Sequence, residues 1–372
     1  MIYMDYAASA PMDPRAARRM YEVATEAFGN PGAVHRAGNQ ARRILQDARR
    51  SLAKLLNVRE QEIFFTSGGT EANNWAVLLG AQRGRHIVAA ATEHKSVLEP
   101  LRQLEKQGHA VTYIAPDDRG VIRVEAVEKA LRPDTGMICV QAINNETGVI
   151  QDVDALADLA KKRGIAYFCD AVQSFGHVRQ NLHKASYISI SAHKFGGPRG
   201  VGCLVVRYPH FPEPMIRGGG QELGKRSGTE NVAAIAAFAL AAELAAAELD
   251  RESVRLRALT DYFAEKLKEA APTLVIHSGR APRHPGILNC RFPGITGEEM
   301  AVRLDLKGIC VSPGAACGAR DGAPSHVLLA MGQSEQQAKE ALRFSLGKHT
   351  TREEIEQAAQ AVAEIINNKK EG

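Results

Sequence analysis

A single lysine separates a histidine from a run of glycines in SAHKFGGPRGVG, Ser191 to Gly202. The stretch directly follows YISIS, whose alternating apolar residues read as a buried strand. A charged amine at the end of such a strand is costly unless something pairs or uses it. Lys194 is therefore a candidate for covalent chemistry through its amine.

Other residues with chemical capacity also fall where strands end. TSGGTEANN, Thr66 to Asn74, follows the run EIFF and opens a helix. Glycines at such a turn let backbone N–H groups face an anion, helped by the helix dipole, although the stretch is neither a Walker A nor a GxGxxG motif. ATEHKSVLEP puts His94 just beyond the next strand, as a helix cap or as a flat ring facing a ligand. INNETG puts Asn144 and Asn145 at the end of MICVQ, in residue types that also favour a turn. FCDAVQS ends the apolar run IAYFC with Asp170 and Gln173. A carboxylate placed there is partly buried and calls for a positive partner. SAHK adds Ser191 and His193 beside Lys194. An anion cradle, a flat ring, an amide, an acid, a hydroxyl and a lysine thus share the ends of one sheet. That set matches pyridoxal phosphate: the lysine forms the Schiff base, the acid holds the pyridinium N–H, and the cradle takes the phosphate.

The frame comes from seven short apolar runs between about residues 37 and 205: EIFFTS, HIVAAA, AVTYIA, MICVQAI, IAYFCDA, YISISA and GCLVVR. Amphipathic stretches such as NQARRILQDARRSLAKLL and VDALADLAKKRG separate most of them. The alternation predicts an α/β fold, a mostly parallel seven-stranded sheet flanked by helices. Such sheets hold ligands at the carboxyl ends of their strands. An Ala-rich helix from Val232 to Leu249 then leads to a charged one, roughly Glu248 to Glu269. Beyond it, LVIHS, ILNCRF and ICVSP read as strands of a smaller α+β domain. The expected division is residues 15–255 for the large, cofactor-binding domain, and residues 1–14 with 256–372 for the small one. TREEIEQAAQAVAEII predicts a last amphipathic helix, with Thr351 and Glu354 at capping-box spacing.

Composition narrows the classes. With 45% hydrophobic and 24% charged residues among 372, the chain suits a globular protein with a sizeable core. Its net charge of +5 is spread along the chain and argues for neither nucleic-acid nor membrane partners. MIYMDYAASAP lacks the apolar region of a signal peptide. The most apolar long stretch is interrupted by Glu243 and Glu248, so a buried helix is expected there. The six cysteines form no CxxC pair, and no metal site is expected. Cys139, Cys169, Cys203 and Cys290 lie in strand-like runs and, with Cys310, read as small core residues in a reducing cytoplasm. Cys317 differs. It lies in SPGAACGARDGAPSH, rich in glycine and small residues with no apolar period. An exposed loop thiol is a liability unless it is used.

On these motifs the chain resembles a cysteine desulfurase of the NifS/IscS type, in the class V aminotransferase group of fold type I pyridoxal-phosphate transferases. The resemblance runs nearly the whole length, through YMDYAASAP, FGNPGAVHRAG, TSGGTEANN, TEHKSVLE, NNETGVIQD, DAVQSFG, SAHKFGGPRG, GGGQELGKRSGTENV, SPGAACGARDGAPSHVLLAMG and RFSLGKHTT. It implies that Lys194 carries pyridoxal 5'-phosphate, His94 stacks on the ring, Asp170 pairs with the ring nitrogen and Gln173 reaches the phenolic oxygen. Gly69, Thr70, Ser191 and His193 would bind the phosphate, and Thr229 the phosphate of the neighbouring subunit in a homodimer. Asn145 and Arg343 would hold the carboxylate of L-cysteine, a task suited to a guanidinium fork. Cys317 would take the sulfur as a persulfide and release L-alanine, its thiolate generated by a nearby base. His94 is that base in family terms; His326, on the same loop, is the second candidate.

The segment from Cys317 to Val327 matches the long-loop subgroup, which implies several sulfur acceptors, such as iron–sulfur scaffolds or tRNA-thiolation enzymes. Two positions depart from the family pattern. Pro313 stands in SPGAAC where SSGSAC is common, and is expected to stiffen the hinge; Leu223 stands where an arginine is usual. Other readings keep parts of this site. A selenocysteine lyase or another class V aminotransferase would retain Lys194 and Asp170. A non-catalytic scaffold of a sulfur-transfer assembly would not need the catalytic positions, all of which are intact.

Overall fold

The computed structural model describes residues 1–277, 279, 281–314 and 323–370. A short strand β1 (Ile2–Tyr3) and helices α1 (Pro14–Glu26) and α2 (Arg36–Leu56) precede a regular alternation. It runs β2 (Ile63–Thr66), α3 (Gly69–Ala81), β3 (His86–Ala90), α4 (Lys95–Lys106), β4 (Ala110–Ile114), α5 (Val124–Ala130), β5 (Thr135–Cys139), α6 (Val153–Arg163), β6 (Ala166–Asp170), β7 (Tyr187–Ser191) and β8 (Gly202–Val206). Strands β2 to β8 form one sheet in the order β2-β8-β7-β6-β5-β3-β4. Only β8 runs against its neighbours, so β2, β3, β5, β6 and β7 all end on one edge. The mostly parallel seven-stranded sheet expected from the alternation is present.

The pleat sends alternate residues to opposite faces. Phe65, Val88, Ile138, Cys169 and Ile190 pack with Leu45 and Leu52 of α2 and Leu156 of α6. Phe64, Ile87, Met137, Phe168 and Leu204 pack on the other face with Trp75 and Leu79 of α3 and Leu101 of α4. Both faces are covered, which is why these strands read as unbroken apolar runs. Cys139, Cys169, Cys203 and Cys290 are buried in strands as expected, while Cys310 is half-buried. Burial pushes the Cys203 and Cys290 thiols up to about 12, so they are inert packing groups.

After the turn α7 (Gln221–Gly224) comes α8 (Val232–Ala270), a single helix of 39 residues. Two helices meeting near Glu248 were expected. Leu249, Asp250, Arg251 and Glu252 include neither glycine nor proline, so nothing at the junction stops the helix. Among the described residues α8 is the one helix long and apolar enough to cross a membrane by length and composition. Its Ala234, Ile235 and Phe238 are buried in the large-sheet core, and its Leu256, Phe263 and Leu267 in a second core.

The elements that follow are β9 (Val275–Ile276), β10 (Ile287–Arg291), α9 (Gly297–Asp305), β11 (Ile309–Cys310), β12 (Ser312–Pro313), α10 (His326–Ala330), α11 (Glu335–Lys339), β13 (Ala341–Ser345) and α12 (Arg352–Lys370); β10, α9, β13 and α12 supply much of the second core, while α10 and α11 bury Val327, Leu328 and Ala338 in a small cluster of their own. An antiparallel sheet runs β12-β13-β10-β9, and β1 pairs with β11. The apolar pattern did not announce β13, because Arg343 sits at its centre. Thr351 and Glu354 exchange the expected capping bonds at 3.2 and 3.0 Å.

Candidate active site

The five aligned strand ends converge on one cleft. Past β2, Gly68 caps α3 at φ +150° and offers no side chain to the helix's first N–H groups. Those donors, at the positive end of the helix, are suited to an anion. A Cβ on Gly69 would stand 2.8 Å from Val172 Cγ2 and 3.5 Å from Ser191 Cβ. Glycine is therefore what lets the β6 and β7 ends close on this helix.

Asp170, the last residue of β6, is buried. Its Oδ1 accepts from the Val172 N–H at 2.9 Å and its Oδ2 from Asn73 Nδ2 at 2.7 Å. Lys194, past β7, donates from Nζ to the carbonyls of Ala7 at 2.7 Å and Ala8 at 3.0 Å. Gln173 Nε2 donates to the same Ala7 carbonyl at 2.8 Å. The segment that follows β1 thus holds both side chains. Burial, reinforced by Lys194 and Arg199, pushes His193 down to about 4, so its ring is neutral.

Beyond β3, His94 caps α4: its Nδ1 accepts from the Ser96 backbone N–H at 3.1 Å. The cap reading and the site reading therefore hold together. Burial holds the His94 pKa below the ordinary value; Asp170 opposes this, and Lys194, His326 and Lys95 add to it. Beyond β5, the Asn144 side-chain oxygen accepts from the N–H groups of Glu146 and Thr147 and so makes the turn. The Asn145 carbonyl accepts from Arg343 Nη1 at 2.8 Å. Arg343 is 1% exposed, pairs through Nη2 with Asp5 Oδ1 at 2.8 Å, and keeps a buried Nε with no partner among the described residues.

Gly69, Thr70, His94, Asn145, Asp170, Gln173, Ser191, His193, Lys194 and Arg343 all line this cleft, which holds about 280 Å³. Thr229 does not line the cleft; it is exposed, in the loop before α8. Cys317 lies outside the described residues. His326 is not on a loop: it opens α10 behind a Ser325 cap, and its Nε2 bonds to the Glu93 carbonyl at 2.9 Å. Pro313 is paired within β12, opposite Leu342. Leu223 is exposed at φ 58°, next to Glu222, whose carboxylate receives the fork of Arg49 at 2.6 and 3.0 Å.

Five contributors escaped the sequence reading: Asn73, Ser96, Asp5, the Ala7 carbonyl and Glu93. Asn73 carried a signal, since a polar residue on the apolar face of Ala76 and Val77 asks for a partner. Asp5 and Ala7 carried none, because their partners lie well over a hundred residues away along the chain.

The residues present fit pyridoxal phosphate. The α3 end with Ser191 and neutral His193 suits a phosphate, Asp170 a protonated ring nitrogen, and Lys194 an aldehyde. On this sheet, such a cleft defines a fold type I pyridoxal-phosphate enzyme. A family profile described as aminotransferase class-V matches residues 2–358, and the chain belongs to that family, which is pyridoxal-phosphate dependent. It is 39% identical to a protein named cysteine desulfurase IscS from Dictyoglomus turgidum, over 98% of this chain and 94% of that one. A solved NifS-like protein superposes with TM-score 0.92 at 35% identity, over 98% and 99% of the two chains. A structure described as SspA in complex with cysteine matches with TM-score 0.82 at 32% identity, over 94% and 100%.

Proposed function

We propose that the protein is a cysteine desulfurase, converting L-cysteine to L-alanine and leaving the sulfur as a persulfide on Cys317. The observation that carries this reading is the meeting of Lys194, Asp170, His94 and Arg343 in one cleft. The likeness to proteins named cysteine desulfurase, and to one solved with cysteine, supports it.

When bound, pyridoxal phosphate supplies an electron sink that loosens bonds at the α and β carbons of an amino acid. Lys194 would anchor it, and Gly69, Thr70, Ser191 and His193 would hold the phosphate. Gln173 would serve the phenolic oxygen, and Asp170 would pair with the protonated ring nitrogen. Arg343 orients the substrate carboxylate with Asn145; its guanidinium is already fixed by Asp5 and retains an open Nε donor. The Cys317 thiolate attacks the substrate sulfur. The electron pair of the Cβ–S bond stays on carbon, which takes up a proton to become the methyl group of alanine. Thr229, exposed at the front of α8, reaches the phosphate of a second subunit in a homodimer. The persulfide then passes to acceptor proteins of iron–sulfur assembly or tRNA thiolation in the cytoplasm.

Purified protein given cysteine and a reductant should release sulfide and alanine in equal amounts. Cys317→Ser should cut sulfide release by about a hundredfold or more while leaving the yellow colour of bound cofactor. Lys194→Ala should lose colour and activity together. An unchanged rate in Cys317→Ser would refute the assignment.

A further inference from the structure

Two hydrogen-bond arms leave the Asn73 amide, one to Asp170 and the other through Ser96 to His94. Asn73 Nδ2 gives one hydrogen to Asp170 Oδ2 at 2.7 Å and the other to Ser96 Oγ at 2.7 Å. The amide cannot turn over, because its oxygen would then face a carboxylate oxygen. Ser96 Oγ, already an acceptor, lies 2.7 Å from His94 Nδ1 and has its own hydrogen left to give. The Ser96 backbone N–H points at the same nitrogen from 3.1 Å. An imidazole nitrogen that accepts from donors has no room for a proton of its own.

We infer that Asn73 and Ser96 are positioning residues that lock His94 in the neutral form with its proton on Nε2. His94 then enters the reaction as a hydrogen-bond donor through Nε2–H, and the Cys317 thiolate is generated by another group. This rests on the proposed function only in naming the reaction; the lock itself is a property of the cleft. The surroundings agree. Burial and the positive groups Lys194, His326 and Lys95 disfavour a second proton on the ring, and Asp170 pulls the other way. A charged ring would also have to give a hydrogen from Nδ1. Ser96 would then turn its hydroxyl away, and its backbone N–H would face another donor.

The ring nitrogens can be read directly in holoenzyme labelled with 15N-histidine, with His94 identified from His94→Gln. The expected signature is a ring protonated at Nε2 and bare at Nδ1, persisting to lower pH than exposed histidines allow. Ser96→Ala, which leaves only the backbone N–H on Nδ1, should let a measurable fraction of the Nδ1–H form appear and raise the pH at which the ring charges. Ser96→Thr, which keeps the hydroxyl, should restore the wild-type signature, and Asn73→Ala should give a weaker version of the Ser96→Ala effect. A proton on Nδ1 at neutral pH, or a Ser96→Ala signature identical to wild type, overturns the inference. A general packing defect would not be cured by threonine. The readout needs no substrate, so an inactive protein with the Nε2–H form sinks only the desulfurase reading, and an active protein with the Nδ1–H form sinks only the lock.

Discussion

The ends of β3 and β6 each bury a carboxyl group, and the two are hydrogen-bonded unequally. Asp170 is 7% exposed and Glu93 fully buried. Asp170 takes a donor on each oxygen, from Val172 and Asn73. Glu93 takes one, from the Gln141 N–H at 2.6 Å, and its Oε2 has no partner among the described residues. Burial, followed by the charge of Asp170, pushes Glu93 up to about 8. Glu93 is thus a neutral acid behind the cleft, while Asp170 lines the cleft with both of its oxygens hydrogen-bonded. Burial is the main cause of the Glu93 shift, and the one N–H that Gln141 supplies offsets little of it.

Substitutions can break this contrast. The largest effect is expected for Asp170→Asn, which keeps shape and removes charge. Turnover should fall by about a hundredfold or more, while Lys194 and the α3 end keep the cofactor bound and the protein yellow. A variant within a few-fold of wild type would mean that the charge at β6 is not used.

The smaller effect is expected for Glu93→Gln, which swaps one neutral group for another. Activity should stay within a few-fold of wild type at neutral pH. Stability against pH sharpens the point. A glutamate raised to about 8 in the fold, against about 4.3 unfolded, holds its proton in the native state while the unfolded chain has lost it. Its contribution to stability is therefore complete below the unfolded value and is lost as pH rises through about 8. Glu93→Gln should flatten that decline, with melting temperatures close to wild type near pH 5 and above it near pH 8.5, both roughly placed from this linkage. Parallel melting curves across that range would remove the neutral-acid assignment.

Much of the cleft was legible because parallel strands advertise their carboxyl ends: each ends an apolar run, and the next residues carry the chemistry. Lys194, Asp170, His94 and the glycines before α3 were found in that way. Arg343 came from motif resemblance, since a charge at the centre of β13 hides the strand. Asp5 and Ala7 act through contacts set by tertiary closure, which no local spacing records, as does the bond from Asn73 to Ser96. The junction within α8 misled because a change in composition looks like a boundary, although a helix ends only where its backbone is stopped.

That uninterrupted helix has a mechanical consequence. At 1.5 Å per residue, α8 is a girder about 58 Å long, bolted at one end under the great sheet and at the other beneath the lesser one. Neither half can shed its packing without loosening a rod the other depends on. Heat should therefore dismantle the protein in a single cooperative step, both cores melting together.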